Sequence, residues 1–211
     1  MEGAVVAGQG GAGGRGTDLG DLGARRARLR PTEETAYVGM IVFLASWAML
    51  FAALFFSYAL VRARTPAWPP PDLPALPRFV PGLNTLVLVA SSAAVAAALR
   101  AVIAGRRARA ARALAAATSL GAAFLALQAA VWIQLWGEGL HVDGGPYPSV
   151  FYSLTALHAL HVVVGVVALA VLAARGFRVT GPGRLAVRLW GMYWHFVGIV
   201  WGVLYVTVYL A

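Results

Sequence analysis

Cysteine and lysine are both missing from this 211-residue chain, and charged side chains make up only 12% of it. Without cysteine there are no disulfides, thiolate metal sites or cysteine nucleophiles. The poverty of charge argues against an ordinary soluble domain, which carries about 25% charged residues. With no lysine, all 17 basic residues are arginine, and the formal net charge is +9. In a soluble protein that balance would point to nucleic acid. Here the arginines punctuate apolar runs, so they are read as topology signals and no nucleic-acid partner is expected.

What the chain does have is hydrophobic length: 60% of its residues are apolar. Residues 1–30 stand apart, with Gly10, Gly11, Gly13 and Gly14 followed by Arg25, Arg26, Arg28 and Arg30. Such a segment buries too little apolar area to offset its ordering entropy, so a disordered tail without a signal-peptide pattern is expected. Residues 31–211 read as one transmembrane domain. Five apolar segments, near 37–61, 82–103, 113–136, 149–174 and 189–210, each approach the roughly 20 residues that cross about 30 Å of hydrocarbon. Thr32 ahead of Glu33 and Glu34 has the pattern of an N-cap with acids in the first turn. The fold expected is an all-α membrane protein, a five-helix bundle.

Arginine sets the expected orientation. With the N-terminus inside, 14 of the 17 arginines fall on the cytoplasmic side, leaving only Arg62, Arg64 and Arg78 outside. The positive-inside rule then gives N-in, C-out. Between the first two segments, the prolines from Pro66 to Pro81 predict a stiff, extended outer strap. Trp68, Trp132, Trp136, Tyr147, Trp190 and Tyr193 lie near segment ends, as an interfacial aromatic belt does.

Ionisable groups at depth are few, which disfavours an ion pump or a proton-coupled carrier. Only His158, His161 and His195 sit deep in the segments. As metal ligands they lack any carboxylate or thiolate to complete a site. Neither does a pair on one helix flank a haem. The plainer reading makes them buried hydrogen-bonding groups at helix contacts. Thr155, His158, His161 and Gly165 share a stripe, as do Gly191, His195, Gly198 and Gly202, the last two a small-xxx-small pair. Helix packing is therefore the expected role of these residues, with no catalytic, cofactor or metal residue in the chain.

The same residues carry a resemblance. Tyr193-Trp194-His195-Phe196-Val197, then Val200-Trp201 and Leu204 to Tyr209, resembles the closing helix of haem-copper (cytochrome c type) oxidase subunit III. Tyr147 to Thr155 with His158 and His161-Val162 is similar to that family's penultimate helix. Val38-Gly39-Met40, Phe43 to Ser46, Phe51 to Phe55 and Tyr58 resemble the first helix of its short bacterial members. Leu83-Asn84-Thr85 with Ser91-Ser92, and Leu127-Gln128-Ala129, resemble the next two.

The resemblance implies a seven-helix family whose shorter bacterial members keep the last five. It implies an accessory subunit of the bacterial plasma membrane, bound to oxidase subunit I and other oxidase subunits. Haems and copper would lie in those partners, and phospholipids would be held by this chain, with Arg175 where the family contacts a lipid phosphate. Three departures stand out: Trp47, Val131 and Gly198 occupy positions where the family carries acids. They leave open an accessory subunit of a nitric oxide reductase. A membrane haem-b anchor or small transporter is the alternative of another class.

Overall fold

A computed structural model describes residues 33–68, 70, 73–174 and 181–210. The Gly/Arg-rich tail, Thr32 and Arg175 lie outside those residues. Every regular element is helical: α1 (Glu33–Arg64), α2 (Phe79–Ile103), α3 (Arg107–Gly137), α4 (Pro146–Ala174) and α5 (Gly181–Leu204), the last continuing into a π-helical end, Tyr205–Leu210. All five are long and apolar enough to cross a membrane, and no strand occurs among the described residues. The protein is an all-α, five-span membrane bundle.

The helices outrun the apolar segments that announce them. α3 begins at Arg107 and α5 at Gly181, because turns carrying arginine are helical without being hydrophobic. Hydropathy marks the hydrocarbon slab, while backbone hydrogen bonding carries on into the headgroup region.

The chain divides at Gly39 and Met40 into two units. The described part of the first is the opening of α1, with Glu33 and Glu34 in the first turn, where the positive end of the helix dipole favours acids. Within the second unit, four helices close a ring: α2 packs on α3, α3 on α4, α4 on α5, and α5 back on α2. Their shared core is large and aromatic, with Trp194, Trp201, Phe124 and Phe151 fully buried.

Met40 onward, α1 relates to this ring differently. It offers one seam, Leu44, Trp47, Phe51, Leu54, Tyr58 and Val61, at alternating three- and four-residue spacing, while most of its other side chains are exposed. Contact runs through long rings rather than close backbone approach. Phe43 stacks on Tyr193 with centroids 6.4 Å apart, and Phe51 meets the His161 ring at 5.3 Å.

Two turns have clear local causes. At the end of α3, Leu140 N–H bonds Leu135 O at 2.9 Å and Gly139 N–H bonds Trp136 O at 3.1 Å. That is a Schellman closure, and it needs the left-handed backbone of Gly139, φ 93°. The α2–α3 turn repeats the motif. Arg106 N–H bonds Ala101 O at 2.8 Å, Gly105 N–H bonds Val102 O at 3.1 Å, and Gly105 has φ 71°.

Composition predicts a continuous extended strap for the proline-rich connection, and one hydrogen bond between its described residues departs from that. Leu73 N–H bonds Pro70 O at 3.1 Å, which draws these two residues closer than extended chain allows. Trp68 pins the segment down, edge-on to Tyr58 at 5.4 Å and to Tyr147 at 4.7 Å.

Candidate functional site

Three tryptophans tie the helices together through hydroxyl groups. Trp194 on α5 donates its indole N–H to Ser91 of α2 at 3.1 Å, and Ser91 donates onward to Ala117 O of α3 at 2.9 Å. Trp201 donates to Thr85 at 3.0 Å, and Thr85 in turn donates to Pro81 O at 2.9 Å. Trp132 of α3 donates to Thr155 of α4 at 3.2 Å, which closes on Phe151 O at 2.8 Å. In each case a hydroxyl relays one donor to one carbonyl, leaving neither unpaired in hydrocarbon. Tyr193 adds a bond from its hydroxyl to His161 O at 3.0 Å, and Gln128 Nε2 donates to Tyr209 at 3.4 Å. Interhelical bonds of this kind contribute about 0.6–2 kcal/mol each.

Two glycines make this lattice possible. A methyl group at Gly165 of α4 would lie 2.6 Å from Trp194 Cε3, and one at Gly121 of α3 would lie 2.7 Å from Trp194 Cη2. The indole is therefore held between two bare backbones. Gly165 falls on the α4 stripe expected from sequence. Gly121 does not stand out there, because it sits in an alanine-rich run where most residues are small.

The histidines part company. His158 and His161 are buried on α4, whereas His195 of α5 is exposed. His161 Nδ1 lies 2.7 Å from Leu157 O. A carbonyl only accepts, so Nδ1 carries a proton and donates to it. His161 Nε2 has no hydrogen-bond partner among the described residues, and neither ring nitrogen of His158 has one. Aromatic faces surround them instead. Phe124 and Trp201 lie 5.9 and 5.4 Å from the His158 ring, and Trp47 stands edge-on to His161 at 4.0 Å. Of the three histidines expected to be buried and hydrogen-bonded, His161 is both, His158 is buried among aromatic rings without a bond, and His195 faces outward. The cause is on α5, where Trp194 and Trp201 bury more apolar area than an imidazole can, so they take the core-facing positions. No group of three or more His, Cys, Asp or Glu side chains converges among the described residues.

Trp47 is the informative departure, since its ring stands directly against that of His161. Trp47→Glu should place a carboxyl group beside the His161 ring in a largely apolar setting. It is expected to make this helix reactive toward a hydrophobic carbodiimide, with labelling at position 47 rising from none to near-stoichiometric. Mass spectrometry of the labelled chain checks this. A variant that stays unlabelled would show that position 47 does not face His161 in the membrane.

His195 sits near the middle of the fifth span, Gly183–Leu210, in a groove of about 350 Å³ lined by Thr85, Leu88, Ser92, Gly198, Trp201 and Gly202. Gly191, one turn before His195, is buried, and its added methyl would touch Val95 at 3.4 Å. Gly198 would meet Ser92 Oγ at 3.4 Å, and Gly202 would meet nothing within 4 Å. The glycine stripe therefore starts inside the bundle and ends as the floor of an outward groove.

An integral-membrane scaffold, its helices laced by buried indole–hydroxyl bonds and one flank kept open, is the class these features define. The profile described as cytochrome c oxidase subunit III matches residues 29–211. The chain is 36% identical over 187 residues to the zebrafish (Danio rerio) protein named cytochrome c oxidase subunit 3, covering 85% of this chain and 70% of that one. The orangutan (Pongo abelii) protein of the same name is 35% identical over the same length and coverage. For the rabbit (Oryctolagus cuniculus) protein the identity is 36% over 179 residues, covering 81% and 67%. The chain belongs to the cytochrome c oxidase subunit III family.

Proposed function

We propose that this chain is the non-catalytic subunit III of a cytochrome c oxidase, seated against the haem- and copper-bearing subunit I. It steadies that partner while electron transfer, oxygen reduction and proton translocation proceed there. The observation that carries this reading is His195: an exposed imidazole at mid-span, in a glycine-floored groove, with no hydrogen bond to any described residue. A polar group facing lipid at that depth is costly. A neighbouring transmembrane helix, brought close by Gly198 and Gly202, would supply its partner.

The arginine distribution supports an N-in, C-out arrangement in a bacterial plasma membrane. On the family resemblance, the chain also holds phospholipid, with Arg175 as one phosphate contact and no haem or copper of its own. Arg175→Ala is then expected to lower copurifying phospholipid while leaving the initial turnover rate near that of the unmodified complex.

The test is purification of the tagged chain in mild detergent. A partner carrying haem and copper should copurify, and the chain stripped from that partner should contain neither metal at stoichiometric level. Iron or copper retained by the isolated chain, or the absence of any haem-bearing partner, counts against the proposal.

A further inference from the structure

At the α2–α3 turn, Arg100, Arg106 and Arg109 line a cavity of about 410 Å³ whose remaining wall is Ala97, Ala101 and Ala104. The Schellman closure on Gly105 creates this grouping. It ends α2 at Ile103 and starts α3 at Arg107, so the last turn of one helix and the first turn of the next present their arginines to one hollow. None of the three guanidinium groups makes an ion pair or a hydrogen bond among the described residues. The start of α3 is equally bare. Its N-cap Arg106 makes no capping bond, and its first turn has no acid, so its positive dipole end is uncompensated.

Arg107 and Arg112 carry the same charge nearby but do not line the cavity, and Arg112 Nε instead donates to Ala108 O of its own helix at 3.3 Å. Diffuse positive charge is a property of the whole turn. Convergence on a hollow belongs to three residues only.

We infer that this hollow is a binding site for a phosphate-bearing anion, and that its ligand is an anionic phospholipid. Forked guanidinium donors match phosphate oxygens geometrically, and an uncapped helix start adds backbone attraction to the same charge. The alanine wall favours a lipid over free phosphate. From Ala104 to Ala97 it runs about 10 Å along α2 at 1.5 Å per residue, away from the helix end and toward the hydrocarbon. A headgroup held by the arginines would thus lay its glycerol and first methylenes along an apolar strip. The site lies at a helix end whichever way the chain crosses the membrane, so it does not depend on the orientation proposed above.

The experiment is native mass spectrometry of the intact oxidase complex exchanged into nanodiscs of phosphatidylglycerol and phosphatidylcholine, with and without added inorganic phosphate. The variant Arg100→Gln/Arg106→Gln/Arg109→Gln should retain one phosphatidylglycerol fewer than the unmodified complex, its affinity at this site weakened roughly a hundredfold. The variant Arg107→Gln/Arg112→Gln should retain the full number. As a second route that keeps every charge, Ala97→Leu/Ala104→Leu should also lose that lipid by filling the wall.

Failure of inorganic phosphate to displace the lipid identifies a phospholipid site. Displacement by phosphate at millimolar concentration would leave the anion site standing and assign it to free phosphate. Unchanged lipid and phosphate binding in both the triple-arginine and the alanine variants overturns the inference. So does an equal loss in the Arg107/Arg112 variant, which would reduce the effect to general positive charge.

Discussion

Gly165→Leu is expected to leave little folded protein in the membrane. The first added carbon alone would sit 2.6 Å from Trp194 Cε3, 2.7 Å from Cζ3 and 3.3 Å from Tyr193 Cε1. The indole has little room to retreat, because the next stretch of its rim, Cη2 and Cζ2, already meets Gly121 and its N–H is anchored on Ser91. Overpacking usually costs about 1–3 kcal/mol where neighbours can adjust. A rigid ring clamped by two backbones and a hydrogen bond adjusts poorly, so even Gly165→Ala should fall at the upper end of that range. Thermal unfolding of the chain in detergent checks this, with Gly202→Leu as the comparison. Position 202 opens on empty space, so that variant should melt like the unmodified chain. Equal melting of the Gly165 and Gly202 variants would show that the indole is not clamped.

The second large effect separates folding from assembly. Gly198→Leu/Gly202→Leu should yield a folded subunit that no longer stays with the oxidase. The methyl positions of these glycines meet only ordinary van der Waals contact or nothing, so the bundle tolerates larger residues there. Two leucines would fill the groove around His195, however, and push an approaching helix outward. Loss of close packing at the centre of an interface is worth several kcal/mol, so recovery of the catalytic subunit with the tagged variant should fall at least about tenfold. His195→Phe, which removes only one interhelical bond worth about 0.6–1.7 kcal/mol, should cost far less. Native gels of both variants give the answer, and full copurification of the double leucine variant would remove the groove from the interface.

These variants also show which parts of the structure could be read from sequence. Five spans were legible because a bilayer demands apolar length, and length survives any rearrangement of packing. The faces of the helices were less so. The small-xxx-small pair Gly198 and Gly202 marks a flat strip on α5, but its spacing is the same whether the strip faces a helix of this chain or of another. Gly121, which does hold α3 against Trp194, is hidden among Leu120, Ala122 and Ala123. Its importance comes from an indole 73 positions away in the sequence, and no local pattern encodes that.

A better signal was present on α5. Trp194, Val197, Trp201, Leu204 and Val208 follow three- and four-residue steps and are all buried. That bulky stripe by itself puts His195 on the outer face. The partners of the indole N–H groups were partly legible too, since Thr85, Ser91 and Thr155 are among the few hydroxyls deep in the spans. Their pairing with particular tryptophans depends on helix register, which emerges only from the closed ring.

The standoff of α1 has an evolutionary corollary. The four-helix ring closes without it, and none of the three indole–hydroxyl relays includes one of its residues. Like an outer stave resting on a barrel already hooped, it can be exchanged, lengthened or joined by neighbours while the vessel beneath stays whole. Its lean on the ring, through rings of carbon rather than backbone, is where additions to this architecture meet the least resistance.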